Sequence, residues 1–188
     1  LHLCHHNLET IETTSMTTHD LLLEVCMAAK YEGNSIERYY TGHQLTNNDS
    51  ASQLCTVLAR SFADIGDIIR GKDLFIGYDK KDRVQKKKLQ DSLKNIFGNI
   101  YNELTTSGKN VDKAKARYND PKGDFFQLRE DWWALNREKV WSAITCNAQG
   151  NKYFRPTCSG GESIAHNKCT CINGDPPTYF DYVPQYLR

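Results

Sequence analysis

The densest chemistry in the sequence is a run of cations, KKDRVQKKK, from Lys80 to Lys88. Ammonium and guanidinium groups at this density attract sulfates, carboxylates or phosphates, where several weak contacts add up through counterion release. Their effect depends on the element that carries them. Leu89, Leu93, Ile96, Phe97, Ile100 and Leu104 recur at spacings of three and four, which predicts a helix from about Asp79 to Ser107, stopped by Gly108. At 100° per residue Lys80, Arg83, Lys87 and Lys94 fall away from that stripe. With Lys81 and Lys88 they make a candidate face for an anionic glycan; the plain alternative is a solvated helix surface. No aromatic residue interleaves with the lysines, which argues against a groove for single-stranded nucleic acid.

Cysteine supplies the second candidate chemistry. Seven cysteines in 188 residues, Cys4, Cys26, Cys55, Cys146, Cys158, Cys169 and Cys171, read as a disulfide framework and hence an extracellular setting. Seven is odd, so one partner lies outside the sequence or one thiol is free, and Cys4 at the edge is the candidate. Cys26 with Cys55 is the expected first cross-link, both lying on the apolar sides of neighbouring helices. Cys146, Cys158, Cys169 and Cys171 are expected to pair among themselves. Cys4, His5 and His6, or Cys158 with Cys169 and Cys171, could ligate a metal, but neither set has the paired CxxC spacing of a zinc site, and disulfides are preferred. A nucleophilic cysteine would need an unpaired, activated thiol. Phosphate-binding, dinucleotide, serine-hydrolase and metalloprotease motifs are missing, so no catalytic residue, metal or cofactor is assigned.

Several helices must position these groups. Asp20–Tyr31 has strong helix formers and is expected to close at Gly33, with a surface loop from Asn34 to Asp49 that carries Tyr39, Tyr40 and the sequon Asn48-Asp49-Ser50. Leu54, Leu58, Phe62, Ile65 and Ile69 predict a second helix with Gly71 as its C-cap. Arg60, Asp64, Asp67 and Arg70 sit opposite as internally paired charges. Gly66, near the apolar face, implies the close approach of another backbone. Val111–Asn119 is a short helix ended by Pro121. Asp124 and Gln127 look like a capping box opening a helix to about Cys146. That helix carries Phe126, Trp133, Val140 and Ile144 on one stripe and Phe125, Leu128, Trp132 and Ala143 on another, with Trp141 also in the core, so it should be central.

From Asn147 the period is lost among Gly, Pro, Asn and Cys, and cross-links should hold that segment against the bundle. DYVPQYLR, Asp181 to Arg188, reads as a helix entry with Pro184 in the first turn. The expected organisation is residues 1–146 as a mainly helical bundle and 147–188 as a disulfide-rich loop segment leading into a helix. The formal net charge of +1 hides an asymmetry: residues 1–50 balance at −5 and residues 72–88 at +4. No apolar run reaches the ~20 residues that span a bilayer, and the first ten residues lack a signal peptide's basic and apolar regions, so the sequence reads as if it begins mid-protein.

The strings LLLEVCMAAKYEG, CTVLARSFADIGDIIRG, the region from Trp132-Trp133 to VWSAITC, YFRPTC and above all DYVPQYLR resemble the Duffy-binding-like adhesion domains of malaria parasites. The resemblance is nearest to the alpha class, within the variant erythrocyte membrane protein family, and covers essentially the whole chain. It implies an all-α, disulfide-stapled helical bundle with an irregular Cys/Pro/Gly-rich C-terminal segment, forming part of a larger domain. It also implies a parent protein anchored in a membrane and displayed on the infected erythrocyte. The implied function is non-enzymatic adhesion and antigenic variation, with red-cell receptors, heparan-sulfate-like glycosaminoglycans or blood-group sugars as partners, as in rosetting. The alternative is a scaffold and antigenic surface whose receptor contacts lie elsewhere in the domain. The shared strings are mostly scaffold, so no family motif fixes a binding residue.

Overall fold

The structure is a computed structural model that describes residues 18–44, 52–106, 109–149 and 153–188. Five helices carry the fold: α1 (Thr18–Gln44), α2 (Ser52–Arg70), α3 (Lys80–Thr106), α4 (Val111–Tyr118) and α5 (Phe126–Ile144). Among the described residues β-structure is limited to two isolated bridges in the C-terminal segment, Cys158 with Ser163 and His166 with Thr170. Cys4, His5, His6 and the sequon lie outside the described residues.

The centre of the core is built by α2 and α5. Their stripes meet so that Phe62 packs against Trp133 at 5.1 Å and edge-on to Trp141 at 5.2 Å between ring centroids. Phe97 of α3 meets Trp132 edge-on at 6.1 Å. Offset and edge-to-face rings of this kind add attraction beyond their buried area. The close approach implied by Gly66 is made by a side chain, since a Cβ there would lie 2.8 Å from the Trp133 ring. At the end of α2, Gly71 takes φ 73° and the amides of Lys72 and Gly71 bond back to the carbonyls of Asp67 (2.8 Å) and Ile68 (3.2 Å). This is the Schellman arrangement, which only a residue at ease in the left-handed region closes without strain.

The first helix departs from its expected bounds. Instead of closing at Gly33 it runs on to Gln44, so the expected loop from Asn34 is helical over its first eleven residues. Gly33 is there because α5 crosses it: a Cβ would fall 1.9 Å from the Ile144 carbonyl oxygen. Glycine was read as a terminator when it serves as a contact point. Buried Glu32, one residue earlier, accepts a 2.8 Å hydrogen bond from Ser61 on α2.

The start of α5 and the end of α3 also differ from expectation. Asp124 does not cap α5; its carboxylate pairs with Lys94 at 2.6 Å. Phe125 occupies the cap position with φ 54° and no side-chain cap bond, while Asp120 accepts the Phe125 amide at 2.8 Å. Leu104, expected on the inner stripe of α3, is exposed, and so is Phe126 of α5.

Two disulfides fasten the C-terminal segment, Cys55–Cys169 and Cys158–Cys171. The expected Cys26–Cys55 link is thus replaced. Cys55 is fully buried at the face of α2 that the segment covers, whereas Cys26 and Cys146 are half-buried free thiols. Burial pushes the Cys26 thiol above its ordinary pKa, with Lys139 pulling the other way, so it is not an activated nucleophile. DYVPQYLR forms two short 3₁₀ turns, Phe180–Tyr182 and Gln185–Leu187, rather than the start of an α-helix.

Candidate functional site

The candidate face begins at the N-terminal turn of α3. There the Asp79 carboxylate accepts the Asp82 amide at 2.8 Å, a capping bond that starts the helix. Lys80 and Lys81 then occupy the first turn, where the helix dipole disfavours cations. Asp79 and Asp82 offset that penalty, and Leu89, Leu93, Ile96, Phe97 and Ile100 anchor the helix on its far side.

Lys80, Lys81, Arg83, Lys87 and Lys88 are all exposed. At 1.5 Å per residue they lie within about 12 Å along the axis. Their angular positions cover less than half of the circumference, so a linear polyanion laid across the helix could meet several at once. Lys94, the sixth predicted residue, is one to two turns further on and is engaged by Asp124. The two other bases of the segment are also engaged. Lys86 pairs with Asp73 at 2.5 Å and lies 4.6 Å over the Phe75 ring, and Lys72 pairs with Glu130.

Sequence reasoning missed the apolar neighbours of this face. The connection from α2 to α3 leaves Leu74, Ile76 and Tyr78 exposed, and Val84 on α3 is exposed among the cations. The signal was visible as an apolar run, DLFIGYD, in a segment with no helical or alternating period.

Of the charges read as surface pairs on α2, Arg60 is exposed and Asp64 half-buried, but Asp67 and Arg70 are interior. Asp67 and Arg70 are 3% and 2% exposed and bond to each other at 2.9 Å. Arg188 reaches from the chain end to Asp67 and, at 3.4 Å, to Asp64. Next to them Asp181, 1% exposed, takes both arms of Arg137 at 2.8 Å and the Trp133 indole N–H at 2.9 Å, while its carbonyl accepts Arg70. Burial works against the Arg137 charge, but the hydrogen bonds and charge of Asp181 outweigh it and hold the guanidinium above its ordinary pKa. Arg129 has no carboxylate partner among these groups. It donates to the Ile69 and Ile68 carbonyls at 2.5 and 3.1 Å, capping the negative end of α2, and burial pushes its pKa down to about 10, with Asp124 opposing. This network is a largely buried clamp. No grouping of three or more His, Cys, Asp or Glu able to hold a metal exists among the described residues.

A family model, the Duffy binding domain, matches residues 1–188. The chain belongs to the Duffy-binding domain family. Among solved structures, this Duffy-binding chain is 42% identical to the NTS-DBL1α-1 domain of membrane protein 1 (PfEMP1) from the varO strain of Plasmodium falciparum. That match has a TM-score of 0.75 and covers 99% of this chain and 40% of the other. An ICAM-1-binding DBLβ domain of PfEMP1 is 34% identical with a TM-score of 0.72, covering 100% of this chain and 39% of the other. The same domain, solved bound to ICAM-1, aligns at 31% identity with a TM-score of 0.69, covering 99% of this chain and 40% of the other. Comparison with curated proteins gives no match. The chain spans about two fifths of the length of these solved domains, and its five helices match their helical Duffy-binding fold. Among the described residues no helix is long and apolar enough to cross a membrane.

Proposed function

We propose that this chain is part of a non-enzymatic adhesion module displayed to host cells, and that the N-terminal half of α3 is a receptor face for anionic glycans of the red-cell surface. The observation that carries the reading is the separation of its cations. Lys72, Lys86 and Lys94 have carboxylate partners, while Lys80, Lys81, Arg83, Lys87 and Lys88 stand exposed on one stretch of helix, the first two of them in the opening turn, where the dipole disfavours cations. A local rule broken on a solvated surface, without gain to the core, points to function. Family membership supports adhesion in general, since the similar IT4var13 DBLβ domain is an ICAM-1 binder.

The test is retention on heparin across a salt gradient, with Lys80, Arg83, Lys87 and Lys88 reversed to Glu in the folded, full-length protein. Elution at clearly lower salt, with a shallower salt dependence, is the expected result. Unchanged retention rejects the face.

A second reading is favoured by length alone. Because the matched domains extend well beyond this chain's span, the chain could serve as scaffold and antigenic surface while receptor contacts are made elsewhere. In that case the reversed variant would bind red cells as well as the parent.

A further inference from the structure

The connection between α2 and α3 holds apolar side chains out in solvent. Leu74, Ile76 and Tyr78 are 60%, 75% and 75% exposed. The backbone that carries them is fixed at several points. The Leu74 amide donates to the Gln185 side-chain oxygen at 2.7 Å, and the Phe75 amide donates to the Asp73 carboxylate at 2.9 Å. Phe75 meets the Tyr78 ring edge-on at 4.8 Å and has the Lys86 ammonium 4.6 Å over its face. Gly77 takes φ 104° and lies so close to the first turns of α3 that a Cβ would fall 2.9 Å from the Arg83 amide nitrogen. The connection is therefore an ordered wedge, and its three most exposed apolar side chains add nothing to the core.

The exposed cations of α3 begin two residues after Tyr78. Val84, 62% exposed, lies at their centre. At 100° per residue Lys80 and Lys88 fall about 40° to either side of it, and Lys81 and Lys87 about 60°. A sulfated or carboxylated chain offers little apolar surface to cover the wedge and Val84, so the glycan reading leaves them unexplained. An anionic bilayer surface complements both parts. Its headgroups take the ammonium and guanidinium groups, and its acyl boundary, about 5 to 10 Å below, takes Leu74, Ile76, Tyr78 and Val84 while the lysine stems reach back to the headgroups. A fluid surface needs no matching pocket, whereas a folded protein partner packs with the shape complementarity of an interior.

We propose that the wedge Leu74–Ile76–Tyr78, together with the cationic face around Val84, docks on an anionic phospholipid surface. The cations are shared with the glycan reading but the wedge is not, so changes confined to the wedge separate the failure of one from the failure of the other.

The test is co-sedimentation of the full-length protein with vesicles of phosphatidylcholine containing about one quarter phosphatidylserine, beside vesicles of phosphatidylcholine alone. The expected result is binding to the anionic vesicles only, weakened by salt. The variant Leu74→Ser, Ile76→Ser, Tyr78→Ser should bind them about tenfold or more weakly, with its thermal midpoint and its heparin retention unchanged. A second readout does not depend on that variant folding. In Ile76→Trp, fluorescence should be quenched by brominated lipid beyond the level of the parent, whose three tryptophans sit in α5 and are buried. Lack of binding to the anionic vesicles, equal binding to the neutral ones, an unaffected triple variant that is folded, or no added quenching of Ile76→Trp would each overturn the site. Wedge-dependent binding to red cells that disappears when their surface proteins are digested would assign the wedge to a protein partner and overturn it as well.

Discussion

Four arginines and four lysines of this chain occupy opposite environments. Arg70, Arg129 and Arg137 sit inside, bonded to Asp67, Asp181 and the α2 carbonyls, and Arg188 is drawn in with them. Lys80, Lys81, Lys87 and Lys88 stand outside on α3. The planar guanidinium, with five donors in a fixed fork, satisfies a buried carboxylate and several carbonyls at once, whereas an ammonium on a flexible stem stays hydrated. Equal charge therefore serves two ends: the interior set locks the C-terminal segment to α2 and α5, and the exterior set is, on the proposed function, left for a ligand. The contrast predicts that interior changes unfold the chain and exterior changes leave it folded but less adhesive.

The largest expected effect is on the covalent part of the interior clamp. Removing Cys55–Cys169, which joins residues 114 apart in sequence, by the paired change to Ala should cost about 4 to 5 kcal/mol on the chain-entropy account. Urea denaturation of the variant beside the parent checks this. Asp181→Asn should cost on the order of 3 kcal/mol, the low end for breaking a buried ion pair, because Asn keeps an acceptor for Trp133 and Arg137 while leaving the guanidinium charge uncompensated. A loss under 1 kcal/mol would show that Asp181 is not the centre of the clamp. Gly33→Ala should cost about 1 to 3 kcal/mol through overpacking against the Ile144 carbonyl, and it should be worse than Gly→Ala in an exposed helix, which normally stabilises.

A smaller effect is expected from pH. Asp131 receives Arg117 through both carboxylate oxygens and Tyr118 and Gln127 besides, and the Arg117 hydrogen bond holds its carboxyl below the ordinary pKa, against opposing burial. A depressed carboxylate stabilises fully above its unfolded value, near 3.9, and loses that stabilisation as pH falls toward the folded value. Acid unfolding should therefore steepen below about pH 4, and Asp131→Asn should flatten that part of the profile. An unchanged profile would mean that the α4–α5 bridge contributes nothing to acid stability.

Much of this was legible along the chain because it is periodic. The stripes of α2, α3 and α5, the Gly71 cap and the position of the basic run all follow from local spacing. What escaped depends on neighbours distant in sequence. Gly33 looks like a terminator until α5 crosses it, and the Asp67–Arg70 pair looks solvated until residues 178–188 cover it. Asp124 has capping spacing but finds Lys94, thirty residues back. Cys55 offers no hint that its partner is on a turn more than a hundred residues away. The candidate face was found by charge density, yet sequence could not separate Lys94, which is neutralised, from the five cations left exposed.

Reversing the exposed α3 cations should shift stability by less than about 0.5 kcal/mol per substitution, the usual scale for surface positions. The same change should have the largest effect on adhesion. The most direct test is red-cell binding by flow cytometry of the full-length protein with Lys80, Lys81, Arg83, Lys87 and Lys88 changed to Glu, beside its thermal unfolding midpoint. Loss of binding with an unchanged midpoint is the predicted result; undiminished binding by the folded variant would contradict the assignment of α3 as the receptor face.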